Sequence, residues 1–376
     1  MKKKLLATVL SVASLSAGAV FSVGPDSGGS GTQDYSFILD SGNSVSITQS
    51  SSNLKISGTH PSGYTINDGS KANSNTNIQA KWDYNGTSIG ITTSSPYLAD
   101  VTYTDGILTN TSAKVTSNET AIVVSRSMGN GVKFFGGLRL NQFKANINYP
   151  WVGGAANPTF AVAGGYQYAL DSGTTSGFAI GAAYEVPQIL LRASIQYNSE
   201  IKHSNAKVTE TLPGAGTTAS NPNDLIAPSS MIIKLRSALS PRMLAFANWR
   251  SSQYKKFRVH GPVYTGISGG DLYNPESGTD YTLGLGLKIN EQLNVVVGTG
   301  RGQATDTGGL ANALIPFKGS TFNFIGGTLK VNDRVELNAG YSVLALGDDT
   351  ASVPDGAAPF TDNNGTRLSI GTKVSF

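Results

Sequence analysis

The sequence predicts an all-β fold, a transmembrane antiparallel β-barrel of fourteen strands. Three observations predict it. Runs with apolar residues at every second position recur from about Asn43 to Phe376, the period of a strand with one greasy and one wet face. The links between those runs alternate between tight turns and long segments rich in Gly, Ser, Asn and Pro, the rhythm of a membrane barrel rather than of a sandwich. Beyond the first nineteen residues no stretch is apolar enough to cross a bilayer as a helix, so any membrane span must belong to a closed sheet with no open edge.

The chain opens MKKKLLATVLSVASLSAGA: three lysines, an apolar run from Leu5, and small residues at Ala17 and Ala19. That order of parts is a secretory signal peptide over residues 1–19, cut after Ala19. Its removal takes Lys2, Lys3 and Lys4 with it, so the formal net charge of +4 falls by these three to +1. Without a basic run there is no phosphate-tracking patch, and nucleic acid is excluded as a partner. The chain has no cysteine, so an exported form is held by strand pairing and packing and has no thiolate metal site.

Barrel strands are expected over 43–58, 77–84, 87–103, 108–127, 131–149, 176–185 and 188–202, then over 228–239, 242–258, 279–289, 292–300, 320–331, 334–346 and 365–376. Tight turns fall at Asn85 and Gly86, Gly129 and Asn130, Val186 and Pro187, Ser240 and Pro241, Asn290 and Glu291, and Asn332 and Asp333. Long links run over 203–227, 259–278, 301–319 and 347–364. The segment from Thr159 to Leu170 also alternates, but as a separate strand it would make the count odd, and it is assigned to an outer loop. The apolar faces include Tyr281, Leu283, Leu285, Leu287 and Ile289, and Leu368, Ile370, Val374 and Phe376. The facing sets are polar or bare, which suits a wet lumen.

Several patterns suggest chemistry and do not hold up. Gly86 to Gly90 matches G-x-S-x-G around Ser88, but apolar alternation continues through Ile89 and Ile91 where a nucleophile elbow needs a helix. His60, His203 and His260 stand at unrelated spacings in predicted outer loops, with no triad or metal set among them. Gly298 to Gly302 is followed by no helix start, so it is no phosphate loop. No enzyme activity, cofactor or metal is therefore expected. Arg192 is more informative: a charge on the lipid face costs about 2–4 kcal/mol near the midplane, so it should point into the lumen. There it can pair with a ligand carboxylate or with Glu336 or another lumenal acid. Arg250 and Lys373 are similar candidates.

The stretches DYSFILDSGNSVSITQSSSNLKISGTHPSG, QAKWDYNGTSIGITTSSPYLADVTY and SGFAIGAAYEVPQILLRASIQYNSEIKH resemble the FadL family of outer-membrane transporters for long-chain fatty acids and other hydrophobic compounds. The resemblance covers nearly the whole exported chain, the long loops only loosely. It implies a lumenal plug before the first strand, a kinked third strand opening a side exit to the bilayer, and passive uptake across a bacterial outer membrane. Here the plug would be residues 20–42 and the barrel 43–376. The plug is short and lacks the family's Asn-Pro-Ala motif; Asn157 and Pro158 lie elsewhere. Tyr35, Phe37, Ile38 and Leu39 are its candidate ligand contacts or floor packing. Pro96, with no amide hydrogen for the ladder, marks the kink together with Tyr97. The terminal Phe376 resembles the tag by which outer-membrane barrels are received by their assembly machinery. Two alternatives to the transporter are a general diffusion porin and an outer-membrane lipid hydrolase using Ser88.

Overall fold

The structure is a computed structural model. It describes residues 33–376 except 151, 155–156, 161–164, 213–215, 269, 274, 276, 305–310 and 355. The predicted signal peptide lies outside the described residues.

Fourteen antiparallel strands close on themselves, the last (Asn364–Ser375) pairing with the first (Ser44–Lys55) from Ser44 opposite Ser375 to Lys55 opposite Asn364. Three strands are built from two pieces each: the third from Thr87–Ser94 and Ala99–Thr102, the seventh from Leu191–Asn198 and Ile201–Leu212, the eighth from Gly216–Ala227 and Ser229–Ser240. The greasy faces read from the sequence point outward. Ile47, Ile91, Ile122, Leu138, Ile180, Leu283, Ile325, Val343 and Ile370 are all exposed, a belt of aliphatic side chains that only hydrocarbon would cover without cost. The facing residues point in, so Arg367 and Ser369 are buried.

Tight turns use the residues their backbone demands: Asn85 and Gly86 at φ of 46° and 73°, and Asn130 and Gly131 at 50° and 80°. On the other end of the barrel the links carry structure that loop composition hid. Residues 203–212 and 216–227 continue the seventh and eighth strands, paired from Ile201 opposite Ala227 to Leu212 opposite Gly216. His203 is thus a buried strand residue and not a solvated loop residue. Tyr166 to Leu170, expected in an outer loop, begin the sixth strand, Tyr166–Val186, which simply extends further than its apolar belt; the count stays even. A short helix, Pro262–Ser268, and a hairpin, Asp349–Val353 with Gly356–Phe360, fold over this mouth.

The lumen is not as wet as its sequence faces suggest. Gly181, Gly284, Gly298 and Gly300 look bare, yet a Cβ on them would lie 2.2, 2.3, 2.4 and 2.2 Å from the rings of Phe135, Phe246, Phe324 and Phe322. The tip of each phenylalanine ring reaches over a glycine on a neighbouring strand, filling the space a side chain would take.

Candidate functional site

Residues Gln33 to Asp40 lie inside the barrel, with one turn of 3-10 helix over Ser36–Leu39. Tyr35, Ile38 and Leu39 are buried with Phe37 against Ala121, Val123, Phe135, Ala179 and Ala183 of the wall. Gly90 makes that approach possible, since a Cβ there would sit 2.8 Å from Phe37 and 2.9 Å from Ile38. This is the structural reading of the glycine in the G-x-S-x-G match: it is a bare strand position under the plug.

Charge fastens the segment at both ends. At the upper end Glu119 accepts hydrogen bonds from Gln33 (3.0 Å), the Tyr35 hydroxyl (2.5 Å), Arg139 (2.9 Å) and Asn141 (3.2 Å). Arg139 and Glu119 are both buried, and bonds beyond the pair help offset the loss of water: Arg139 also donates to the Tyr35 hydroxyl oxygen at 3.1 Å and to Ser199 O at 2.9 Å. Gln196 donates to Gln33 O (2.7 Å) and accepts from Tyr35 N (2.9 Å). At the lower end Arg192 donates to Asp40 (2.7 Å), Glu185 (2.6 Å) and Leu39 O (2.9 Å), and Lys133 reaches Leu39 O (3.0 Å); between the two ends Lys234 reaches Asp34 (2.5 Å) and Ser36 (2.9 Å). Burial pushes the Asp40 carboxyl up, but Arg192, Arg236 and Lys373 outweigh it and hold the group at about 2. Asp34 is likewise pushed up by burial and held low by Lys234.

Above the plug lies an apolar pocket with about 840 Å³ of empty volume, part of it open to solvent. Tyr97, Phe143, Tyr254, Phe257, Leu272 and Leu314 are among its lining. Tyr97 stacks on Phe143 with ring centroids 4.9 Å apart, and Phe143 lies 5.6 Å from Phe257. The polar lining side chain, Asn312, is already engaged, accepting from the Tyr149 hydroxyl (2.8 Å) and Leu314 N (2.9 Å) and donating to Leu272 O (2.7 Å). No cation lines the pocket among the described residues.

The pocket abuts a break in the wall. The third strand stops at Ser94 and resumes at Ala99, and its partner ladder to the second strand ends at Ile78 opposite Thr93. Pro96 and Tyr97 occupy the interruption and are buried. Side chains seal it: Asn75 Oδ1 accepts from Ser95 N at 3.1 Å and Asn77 donates to Thr93 O at 2.8 Å. Pairing resumes beyond it, where Lys71 N donates to Asp100 O at 2.9 Å. Tyr97 joins the two regions, lining the pocket while its hydroxyl donates to Gln33 Oε1 at 3.4 Å.

The structure therefore separates the residues singled out from the sequence into three places. Tyr35, Phe37, Ile38, Leu39 and Arg192 meet at the plug, with Lys373 near enough to act on Asp40. Arg192 pairs with Asp40 and Glu185 rather than with Glu336, which stands opposite Lys373 in the sheet register. Pro96 and Tyr97 belong to the pocket and the wall break. Arg250 is buried in the ninth strand, in register with Asp280. Glu119 and Arg139 were missed, although alternation from the outward Ile122 and Leu138 puts both inside. Phe143 was legible in the same way; Tyr254 and Phe257 were expected inside a strand reaching Arg258, but the ninth strand ends at Gln253 and a 3-10 turn turns them to the pocket, while Leu272 and Leu314 come from loops with no period to read.

No protein-family model matches the chain, and no curated protein matches it in sequence. Solved structures do. A Pseudomonas aeruginosa FadL homologue superposes with a TM-score of 0.72 at 12% identity, with 96% of each chain covered. The P. putida toluene transporter TodX gives 0.66 at 13% identity over 96% of this chain and 98% of its own. This chain has the fold of a FadL-type barrel. The CymD monoaromatic hydrocarbon channel is similar as well, with a TM-score of 0.59 at 12% identity over 96% of this chain and 99% of its own. At such identities the FadL-type likeness is one of backbone architecture, and the side chains above carry the rest.

Proposed function

We propose that this protein is a passive outer-membrane transporter for hydrophobic compounds, which enter the apolar pocket from the outer mouth and leave sideways at the break between the second and third strands. The observation that carries the reading is the contact between that pocket and that break, with Tyr97 belonging to both. Burying an apolar surface in the pocket stabilises a bound ligand by about 25 cal/mol per Å², and a broken ladder sealed by Asn75 and Asn77 is a weaker wall than a paired one. The likeness to TodX, a toluene transporter, and to CymD, a monoaromatic hydrocarbon channel, supports the same class of cargo.

The lining favours the uncharged part of the cargo. Arg192, the sequence candidate for a carboxylate partner, is committed to Asp40 and Glu185, and no cation lines the pocket among the described residues. A long-chain fatty acid would therefore be held by its tail, and an uncharged hydrocarbon would fit without loss. No catalytic role is proposed for Ser88, a strand residue opposite Asp83 and Ser125.

The test is uptake into liposomes. The chain has no cysteine, so Asn75→Cys with Ser95→Cys gives a staple across the break that a reductant reverses. Uptake of a radiolabelled aromatic hydrocarbon and of oleate should fall on oxidation and return on reduction. Uptake that ignores the staple contradicts lateral exit, and a large steady ionic conductance of the unaltered protein would favour a porin.

A further inference from the structure

The barrel wall has a second interruption. The sixth and seventh strands pair from Val186 opposite Leu191 to Ala179 opposite Asn198, and again from Asp171 opposite Lys207 to Gln167 opposite Thr211. Past the first ladder Ser199 N still donates to Phe178 O at 2.9 Å, and beyond that bond residues 172–177 and 200–206 have no sheet register with each other. The backbone departs from strand geometry on both sides, with Gly173 at φ 64° and Asn205 at φ 61°. The register also shifts toward both neighbours, between Asp171 and Thr174 and between His203 and Ala206.

Side chains close this seam, as they close the break at the third strand. Ile201 fills the place of the missing Cβ of Gly177, 2.5 Å from where that atom would be, and Ser199 Oγ accepts from Phe178 N at 2.9 Å. On the inner side Ser172 accepts from Phe143 N at 2.8 Å, and the His203 ring meets Phe143 edge-on at 5.8 Å. His203 is fully buried, its ring set against Phe143 and the backbone of Gly173 on the other side of the seam. Phe143 is itself part of the pocket lining. One layer of side chains thus separates the pocket from the outside of the barrel here. The seam sits at the mouth-side edge of the apolar belt: Phe178, Ile180 and Tyr197 are exposed on one side of it, and Lys202 and Glu200 on the other.

We propose that the seam between the sixth and seventh strands is a second lateral port of the pocket, through which hydrophobic molecules already dissolved in the outer leaflet reach it. Ile201, His203 and Phe143 form its gate. The inference rests on the transport reading for its purpose, but its opening can be measured without transport.

The first measurement uses His203→Cys in liposomes containing a maleimide-headed phospholipid, a reagent confined to the bilayer and its surface. The control is Ala179→Cys, on the neighbouring strand and equally buried, beneath the plug. Position 203 should react at least tenfold faster than position 179, and Ile201→Cys serves in its place if the first variant does not assemble. Equal rates overturn the inference whatever uptake shows. The second measurement staples the seam with Thr174→Cys and Ser204→Cys. Uptake of a hydrocarbon delivered from donor vesicles should drop at least threefold on oxidation and recover with reductant; unchanged uptake overturns the port even if the cysteine reacts. Fast reaction at position 203 in a protein that transports nothing would leave the gate standing and remove the transport reading instead.

Discussion

Replacing Glu119 with alanine should unseat the plug while leaving the barrel closed. Glu119 is 3% exposed and takes hydrogen bonds from Gln33 and Tyr35 on the plug and from Arg139 and Asn141 on the wall. Two of those bonds are the plug's own, each to a charged acceptor and each worth about 1.5–3 kcal/mol, so the seated plug loses roughly 3–6 kcal/mol. Removing one partner of a buried ion pair costs a further term of about 3–5 kcal/mol, because Arg139 keeps its charge. That penalty is relieved if the loosened plug lets water reach Arg139. At about 1.4 kcal/mol per tenfold, a loss of 3 kcal/mol raises the unseated fraction on the order of a hundredfold. Planar-bilayer recording reads it as frequent openings in Glu119→Ala and rare ones in the unaltered protein, with Glu119→Gln between them because it keeps an acceptor oxygen. Heat-modified gel migration reports whether the barrel itself is intact. Openings as rare in a folded Glu119→Ala barrel as in the parent would refute the role given to this network.

Three other perturbations follow from the same geometry. Asp40 is held at about 2 against an ordinary 3.8, so its contribution to plug seating is complete above about pH 4 and is lost as pH falls through 2; openings should stay flat from pH 7 to 4 and rise below 3, and Asp40→Asn should lessen that rise, the remainder coming from Asp34 on Lys234. Gly90→Val places atoms where Phe37 and Ile38 now pack, an overpacking cost of about 1–3 kcal/mol, and should raise openings without changing barrel stability in urea. Leu283→Lys puts a charge on an exposed position of the apolar belt and should lower unfolding stability in liposomes by about 2–4 kcal/mol, whereas Thr282→Lys on the lumenal face should not show that depth-dependent cost.

The barrel was legible because its two faces meet different solvents. A lipid face admits almost no polar group, so Leu368, Ile370 and Val374 could be read outward and Arg192 inward from alternation alone. Alternation gave no account of where the lumenal charges end. Arg192 was visible as an inward cation, but its partner Asp40 lies 152 residues away in a segment with no period. Lengths failed for two reasons: the ends of the seventh and eighth strands, rich in Gly, Ser, Asn and Pro, read as loop, and the alternating start of the sixth, Tyr166 to Leu170, falls to a loop when the strand count is kept even, although it runs on into the same strand. Glycine misled in the lumen, where Gly284 and Gly298 are empty positions in sequence and floors for Phe246 and Phe324 in space. The pocket was the least legible feature, since Leu272 and Leu314 reach it from mouth loops whose path only the fold determines, and Tyr254 and Phe257 from a turn where the sequence continued a strand.

The central claim is that a hydrophobic molecule rests between the plug and the break in the third strand. Anomalous diffraction from crystals soaked in bromobenzene addresses it directly. The account predicts a bromine peak within van der Waals contact of Tyr97, Phe143 and Phe257. Bromine found only on the outer belt, with those three rings untouched, would contradict it.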